Sequence, residues 1–297
     1  MSSTFFTYLR TRPQTAAIFY MLVSSAGFSL MSVGVRLVAP ELTAPVIIML
    51  RNALTLLLLL PIVLRHRSAL IRTTRLKDHL WRSMLGTLGM MSWTYSLTMI
   101  PLGHATALSF TAPLISTLFA VTFLREKASL TRWLALLVGF GGTLIILNPN
   151  PHDFAWIDLL VIFATTAWAI TGLFIKSLSG TEPPLRMVFY MNFFMLLIVM
   201  PFGIAHWHTP SLHAWLVLLF IAGASITMHF SMAKAYSLAR LVTLVPFDFT
   251  RLIYTSILAY FIFGETSNLR IWIGAIIIVA SAAFMAHRDA KAASAIE

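Results

Sequence analysis

The chain contains no cysteine and very few charged residues. Without cysteine, disulfide bridges, thiolate metal sites and cysteine nucleophiles are all excluded. Only 10% of the 297 residues are charged and 59% are hydrophobic, whereas a soluble domain carries about 25% charged residues. So few charges cannot cover a soluble surface, and the composition therefore predicts an integral membrane protein embedded in a lipid bilayer. No nucleic acid is expected as a partner, although the formal net charge is +11.

The sequence also lacks the signatures of an enzyme. Neither G-x-S-x-G nor H-E-x-x-H occurs, and no second acid lies deep in an apolar segment to assist Asp248. The histidines of "HWH" at 206–208, with His213, could bind a metal at the membrane surface, but a solvated loop is the simpler interpretation. We expect no cofactor, no metal and no catalytic residue. A membrane-embedded enzyme or a non-transport membrane scaffold is the alternative.

Long apolar segments make up most of the chain. A helix of about 20 apolar residues crosses the roughly 30 Å of hydrocarbon in a bilayer. Ten segments qualify, and the first is too long to be the apolar part of a cleaved signal peptide. The predicted spans are 14–38, 43–64, 80–100, 104–124, 131–148, 156–178, 185–205, 213–238, 242–264 and 269–286. The prediction is an all-α polytopic membrane protein with ten transmembrane helices.

Lysine and arginine predict the orientation of these spans, because they concentrate in cytoplasmic loops. With both termini in the cytoplasm, 17 of the 21 basic residues fall on the inner side, and Arg82 is one of these 17. The four exceptions are Arg36, Arg51, Arg251 and Arg270. The pattern therefore predicts an N-in, C-in topology.

The second half of the chain repeats the first. A shift of 139 residues lays "SFTAPLISTLFAVTFLREKASLTRWLA" on "DFTRLIYTSILAYFIFGETSNLRIWIG". Because each half has five helices, an odd number, the second half must enter the bilayer upside down, as in many secondary transporters. The predicted repeats are 1–148 and 149–297. The matched pairs are Phe110 and Phe249, Thr111 and Thr250, Ala120 and Ala259, Glu126 and Glu265, Leu130 and Leu269, and Trp133 and Trp272.

The segments "TFLREKASLTRW" and "YFIFGETSNLRIW" resemble the drug/metabolite transporter superfamily of EamA type. In each half a glutamate follows the fourth helix and a tryptophan comes seven residues later. "FDFTRLIYTSILAYFIFGE" further resembles a branch that includes vitamin and S-adenosylmethionine uptake proteins. The resemblance implies two EamA-like repeats, a central cavity between them and alternating exposure to the two sides of the membrane.

Asp248 and Arg251 are the first candidate site residues. Arg251 lies about 14 Å along the ninth span, where an unpaired charge costs at least about 2.5–3.5 kcal/mol. Pro246 frees a backbone carbonyl one turn before the pair. We interpret Arg251 as a contact for an anionic substrate group or as the partner of Asp248, and Asp248 as the candidate for proton coupling. The alternative is a self-neutralising pair that only packs the bundle.

Further polar candidates lie in other spans. Arg51 and Asn52 interrupt "MLRNALTLLLLL" in the second span, and Arg51 is a candidate for a second anion contact or a structural arginine. His229 in the eighth span is either a ligand or a packing residue. Asn192 in the seventh span could bond a ligand or another helix. Two aromatic candidates complete the set: Tyr254, three residues after Arg251, and Trp168 beside Thr165 and Thr166.

The expected function is secondary transport of a small amphipathic organic metabolite by alternating access, with proton coupling as one option. An apolar, aromatic interior with few charges suits an amino acid, a vitamin or a nucleoside-like compound. It does not suit a sugar polyphosphate, which would need several basic residues. We expect a monomer or homodimer in a bacterial cytoplasmic (inner) membrane.

Overall fold

A computed structural model describes residues 12–65, 71–100, 105, 108–109, 111–126, 128–147, 155–264 and 269–294. All regular secondary structure in these ranges is helical, which confirms the all-α prediction. The helices are α1 (Pro13–Val38), α2 (Ala44–Arg65), α3 (Leu76–Met99), α4 (Ala112–Phe123), α5 (Leu130–Leu147), α6 (Trp156–Leu178), α7 (Pro184–Ala205), α8 (Leu212–Leu238), α9 (Leu241–Asp248), α10 (Thr250–Phe263) and α11 (Leu269–Ser294).

Six helical stretches within the described residues are long and apolar enough to cross a membrane. They include the combined stretch Leu241–Phe263, in which α9 and α10 together form the ninth span. The others are Pro13–Val38, Ala44–Arg65, Trp156–Leu178, Pro184–Ala205 and Leu212–Leu238. The helices lie within a few residues of the predicted spans, except that α3 begins earlier, α4 begins later and α11 continues further. Arg82 lies inside α3 and is buried.

The ninth span is broken at Phe249, between α9 and α10. Pro246 has no backbone N–H, so the carbonyl of Val242 loses the donor that a regular helix would supply. The hydroxyl of Thr250 donates to the Phe247 carbonyl at 2.7 Å across the break. The Phe249 ring packs on Gly139, where an added Cβ would approach the ring to 3.0 Å. The break therefore lies between Asp248 and Arg251, and it is confined to Phe249, whose backbone keeps right-handed helical angles.

The helices pack in a pattern with internal two-fold character. We number the spans one to ten, with α9 and α10 together as the ninth and α11 as the tenth. Each span of the first half then corresponds to the span of the second half whose number is five higher. The most extensive packing joins α1 to α8, and the counterpart pair α6 and α3 comes next. The second span packs closely on its counterpart, the seventh, and the fifth span packs closely on its counterpart, the tenth. The packing is therefore what two five-helix repeats would produce.

The fifth and tenth spans, α5 and α11, lie together at one side of the bundle. The Ser281 hydroxyl donates to the Ala135 carbonyl at 2.6 Å. Gly142 lets the backbones approach closely, because a Cβ there would lie 3.0 Å from the Gly274 carbonyl oxygen. This pair packs against the rest of the bundle and leaves the other spans to form the interior.

A glutamate follows the first span of each half and contacts the third span of the other half. Glu41, after α1, accepts from the backbone N–H and the hydroxyl of Ser211, the N-cap residue of α8. Glu182, after α6, accepts from the Thr73 hydroxyl at 2.6 Å, just before α3. Since α8 and α3 are counterparts, these contacts join the two halves in a matched way.

Candidate functional site

The interior of the bundle contains a cavity between the two halves. Described residues of every span except the fifth and the tenth line it, and about 120 Å³ is open to the centres of water-sized molecules. Five of the eight predicted site residues line it: Arg51, Trp168, His229, Asp248 and Arg251. The structure thus brings together residues from the second, sixth, eighth and ninth spans around one space.

Asp248 and Arg251 form an ion pair across the break in the ninth span. The distance from Arg251 Nη1 to Asp248 Oδ2 is 3.4 Å. Arg251 Nη2 also donates to the Ser109 carbonyl at 3.2 Å, and its guanidinium lies 5.0 Å from the centre of the Phe28 ring, in cation–π range. Ser109 is the position in the first half that matches Asp248. The arginine therefore joins the two halves at the cavity wall.

The backbone of this segment is held against α1. The Ser29 hydroxyl donates to the Arg251 carbonyl at 2.9 Å, and the Thr255 hydroxyl donates to the Ser29 oxygen at 3.0 Å. All three residues are buried. The start of α10 is thus fixed on α1, and the Arg251 side chain is directed from a supported backbone.

Arg51 is almost fully buried, with 1% of the residue exposed. Its guanidinium donates to the Asn52 side-chain oxygen at 2.9 Å and to the Met31 sulfur at 3.5 Å. Its Nε is buried and has no hydrogen-bond partner among the described residues. Asn52 does not line the cavity; it holds the arginine that does.

His229 is buried in α8 and lines the cavity. Its Nδ1 lies 2.8 Å from the Ser225 carbonyl, one turn earlier in the same helix. Because a carbonyl oxygen can only accept a hydrogen bond, Nδ1 carries the proton in this contact. The histidine is therefore tethered by its own helix, and both of its sequence interpretations stay open.

Aromatic residues form one wall of the cavity. The rings of Phe28 and Trp168 meet edge to face with centroids 5.9 Å apart. Trp93 lies behind them, 5.4 Å from Trp168. Gly89 makes room for the indole, because an added Cβ would come within 2.8 Å of Trp168 Nε1. The predicted role of Trp168 in the site stays a prediction, but its ring is on the wall.

Methionine supplies much of the remaining wall, which the sequence interpretation missed. Six of the 15 methionines of the chain line the cavity, so the surface is soft, polarizable and able to adapt to a ligand. Single methionines in apolar spans look like ordinary packing residues, so no sequence signal marks them. They are Met31, Met90, Met191, Met195, Met228 and Met232.

Two predicted residues lie away from the cavity. Tyr254 is half-buried and is not among the residues that line it. Asn192 is buried, and its amide donates to the Val188 carbonyl of its own helix at 2.8 Å. The predicted roles of Tyr254 and Asn192 in substrate binding stay predictions.

A second group of buried polar residues lies between α3 and α7, outside the cavity lining. Arg82 is 1% exposed and donates to the Met187 carbonyl at 3.0 Å and to the Met191 sulfur at 3.1 Å. Glu182 accepts from Arg186 at 2.5 Å and lies 3.9 Å from His79. Within the described part of the chain, no three His, Asp or Glu residues are close enough to hold a metal ion.

Both halves of the chain match the same family model. The model of the EamA-like transporter family matches twice, at residues 15–148 and 155–286. The chain belongs to the EamA-like transporter family. It is thus a multi-pass membrane transporter and not an enzyme, as the resemblance in the repeated segments implied.

Similar proteins include named transporters. The chain is 33% identical over 276 residues to an "S-adenosylmethionine uptake transporter" of Rickettsia bellii (strain RML369-C), which covers 92% of this chain and 93% of that protein. It is 34% identical over 227 residues to a "Riboflavin transporter" of Vibrio cholerae, with 74% and 75% covered. A solved crystal structure matches with a TM-score of 0.73 at 15% identity, over 94% of this chain and 98% of that one, which shows the shared fold.

Proposed function

We propose that this chain is a secondary transporter that carries a small metabolite with a flat ring system across the bacterial cytoplasmic membrane. The observation that carries the proposal is the cavity between the halves. Its aromatic and methionine walls suit a flat ring, and Arg51, Asp248 and Arg251 supply charge on the same surface. Polar groups placed on a largely apolar wall are typical of small-molecule sites.

An S-adenosyl compound is the first substrate candidate. Its adenine would lie against Phe28 and Trp168, and its charged groups would meet the charged residues of the cavity. The Rickettsia bellii relative that carries this substrate in its name aligns over nearly the whole chain. Riboflavin is the second candidate, because the Vibrio cholerae relative is named for it and its flavin ring would suit the same wall.

Alternating access is the proposed mechanism. The cavity lies between two sets of spans that exchange under the internal two-fold relation, the repeats 1–148 and 149–297, so a rocking motion of one set against the other would expose it to either side. The break at Phe249 gives the ninth span a point at which it can bend. Asp248, the one acid among the described residues lining the cavity, is the proposed proton-coupling group.

The proposed topology has both termini in the cytoplasm. The support is the distribution of basic residues, which leaves Arg36 and Arg270 alone in the outer loops. The chain would act as a monomer or as a homodimer, since the cavity is assembled within one chain. Transport in either direction is compatible with this arrangement, because a secondary carrier follows its gradients.

The test is uptake by the purified protein in liposomes. We would measure entry of radiolabelled S-adenosylmethionine and of riboflavin, with and without an imposed proton gradient, and recover the internal compound to show that it is unchanged. Asp248→Asn should abolish any dependence on the gradient, and Arg251→Gln should reduce uptake. If both variants leave uptake and its pH dependence unchanged, the proposed site is wrong.

A further inference from the structure

The two arginines on the cavity wall differ in how their charges are balanced. Arg251 has Asp248 at 3.4 Å, the Ser109 carbonyl and the face of Phe28. Arg51 contacts a thioether sulfur and an amide oxygen, neither of which carries a charge. The ninth span thus presents a balanced pair, whereas the second span presents a positive charge.

No described carboxylate balances Arg51. Each of the six acids whose side chains the structure describes is engaged elsewhere. Asp248 pairs with Arg251, and Asp158 accepts from the backbone N–H of Ala155 at the start of α6. The other four are Glu41 with Ser211, Asp78 with Arg75, Glu126 with the backbone of Leu241 and Val242, and Glu182 with Arg186 and Thr73.

A second arginine, Arg82, lies outside the described lining of the cavity. Arg82 is also buried, and its hydrogen bonds go to a carbonyl and to the sulfur of Met191, a residue of the cavity wall. Burying an arginine without a counter-charge costs several kcal/mol, and membrane helices retain such residues mainly where they face a cavity and serve function. Arg51, which does line the cavity, therefore gives it a positive side that lacks a fixed anion among the described side chains.

The geometry of the guanidinium indicates which anion would fit. Arginine presents parallel N–H groups that match the two oxygens of a carboxylate. Asn52 and Met31 hold the Arg51 side chain against the wall, and its buried Nε still lacks an acceptor. A site for a phosphate chain would need several cations that face the cavity. Among the described lining residues, Arg51 is the one arginine without a carboxylate partner.

We propose that Arg51 binds the carboxylate of the transported molecule, and that the substrate class is a carboxylate-bearing metabolite with a flat ring. This inference rests on the transport function proposed above and makes it more specific. It favours an amino-acid conjugate such as S-adenosylmethionine over neutral riboflavin. The substrate completes the charge balance of the cavity only while it is bound.

Binding to the purified full-length protein tests this separately from transport. The probes are S-adenosylmethionine and its decarboxylated analogue, which keeps the adenosyl group, the sulfonium and the amine and lacks only the carboxylate. Titration calorimetry in detergent should show that the wild type binds S-adenosylmethionine at least about tenfold more tightly than the analogue. Arg51→Gln should bind the two compounds equally, with its affinity for the analogue unchanged.

Two further variants serve as controls for this binding experiment. Arg51→Lys keeps the charge without the planar fork and should retain only part of the preference. Arg82→Gln removes a buried arginine that does not line the cavity and should leave the preference intact. If Arg51→Gln does not fold, the test compares the preference for S-adenosylmethionine over its analogue between the wild type and Arg51→Lys. Equal wild-type affinity for both probes, or a preference that Arg51→Lys does not reduce, overturns the carboxylate assignment but leaves transport of an adenosyl compound in place.

If neither adenosyl probe binds, the first substrate candidate is wrong, and the carboxylate assignment is tested with riboflavin and 10-carboxymethylflavin. Tighter wild-type binding of the carboxylate-bearing flavin, lost in Arg51→Gln, supports the assignment with a different ring. Equal binding of both flavins, or binding of neither, overturns it.

Discussion

The carboxylate of Glu126 accepts hydrogen bonds from the backbone N–H groups of Leu241 and Val242, at 3.1 and 3.0 Å. Glu126 follows the fourth span of the first half. It thus caps the start of α9, which begins the fourth span of the second half. Lys176 acts on the other side of the same connection, where its ammonium donates to the carbonyls of Tyr236 and Ala239 at 2.7 and 2.6 Å. An anion at a helix start and a cation at a helix end both stabilise the helix dipoles.

Replacing Glu126 tests this cap. Glu126→Gln removes the charge from two hydrogen bonds and should lower the free energy of unfolding by about 1–2 kcal/mol. Thermal unfolding in detergent measures the loss. Ser129→Ala is the control, because Ser129 caps α5 within its own half through a longer contact of 3.4 Å to the Arg132 N–H. The interpretation fails if the two variants unfold together.

Glu41 should make the contact between the first half and α8 dependent on pH. Hydrogen bonds from the backbone and hydroxyl of Ser211 lower the pKa of Glu41 below its ordinary value near 4.5. Because the pKa is lower in the folded protein, the stabilisation is present above the ordinary value and disappears as the pH falls through the folded value. Midpoint temperatures of wild type and Glu41→Gln should therefore differ near neutral pH and converge in acid. Parallel pH profiles would contradict this.

The break in the ninth span should matter more for transport than for stability. Pro246→Ala restores a backbone donor and removes a residue that costs about 3 kcal/mol in a helix interior. We expect equal or greater thermal stability, but uptake at least about tenfold lower, because a continuous helix removes the point at which the ninth span can bend. Pro201→Ala is the matched control, since Pro201 lies exposed inside α7. Wild-type uptake by Pro246→Ala would show that the break is not needed.

The close approach of Gly89 to Trp168 allows a test of the aromatic wall. In Gly89→Ala the new methyl group would meet the indole at 2.8 Å and the Ala164 carbonyl oxygen at 3.2 Å, so the indole or the helix must move. We expect ligand affinity to fall by about tenfold or more. Gly223→Ala adds the same methyl group in α8 where no atom lies within 4 Å and should bind ligand normally. Calorimetry on both variants distinguishes a displaced ring from a general effect of alanine.

The spans were predictable because hydrophobic length follows directly from the thickness of the bilayer. The Asp248–Arg251 pair was also predictable, because charges in an apolar run are costly and a spacing of three residues lets them meet. Tyr254 shows the limit of that reasoning. Tyr254 has the same spacing from Arg251 but does not line the cavity, because side chains three residues apart in a helix still point about 60° away from each other.

Other features depended on packing between distant helices. The methionine wall comes from four spans, and no short stretch of sequence reveals that these residues face one space. Arg82 looked like a flanking basic residue because it follows Lys77 and Asp78, whereas the structure buries it against α7. The pairing of Glu126 with the start of α9 spans 115 residues, so the repeated glutamate indicated a family without indicating its contact.

The pairing of helices across the two halves has a consequence for biogenesis. The most extensive contacts, such as α1 with α8 and α3 with α6, join helices from different halves. When the ribosome has completed α5, the inserted helices still lack their main partners, and the bundle must wait in the lipid for the rest of the chain. The two halves made as separate polypeptides should therefore assemble when co-expressed, while either one made alone should be degraded by membrane quality control.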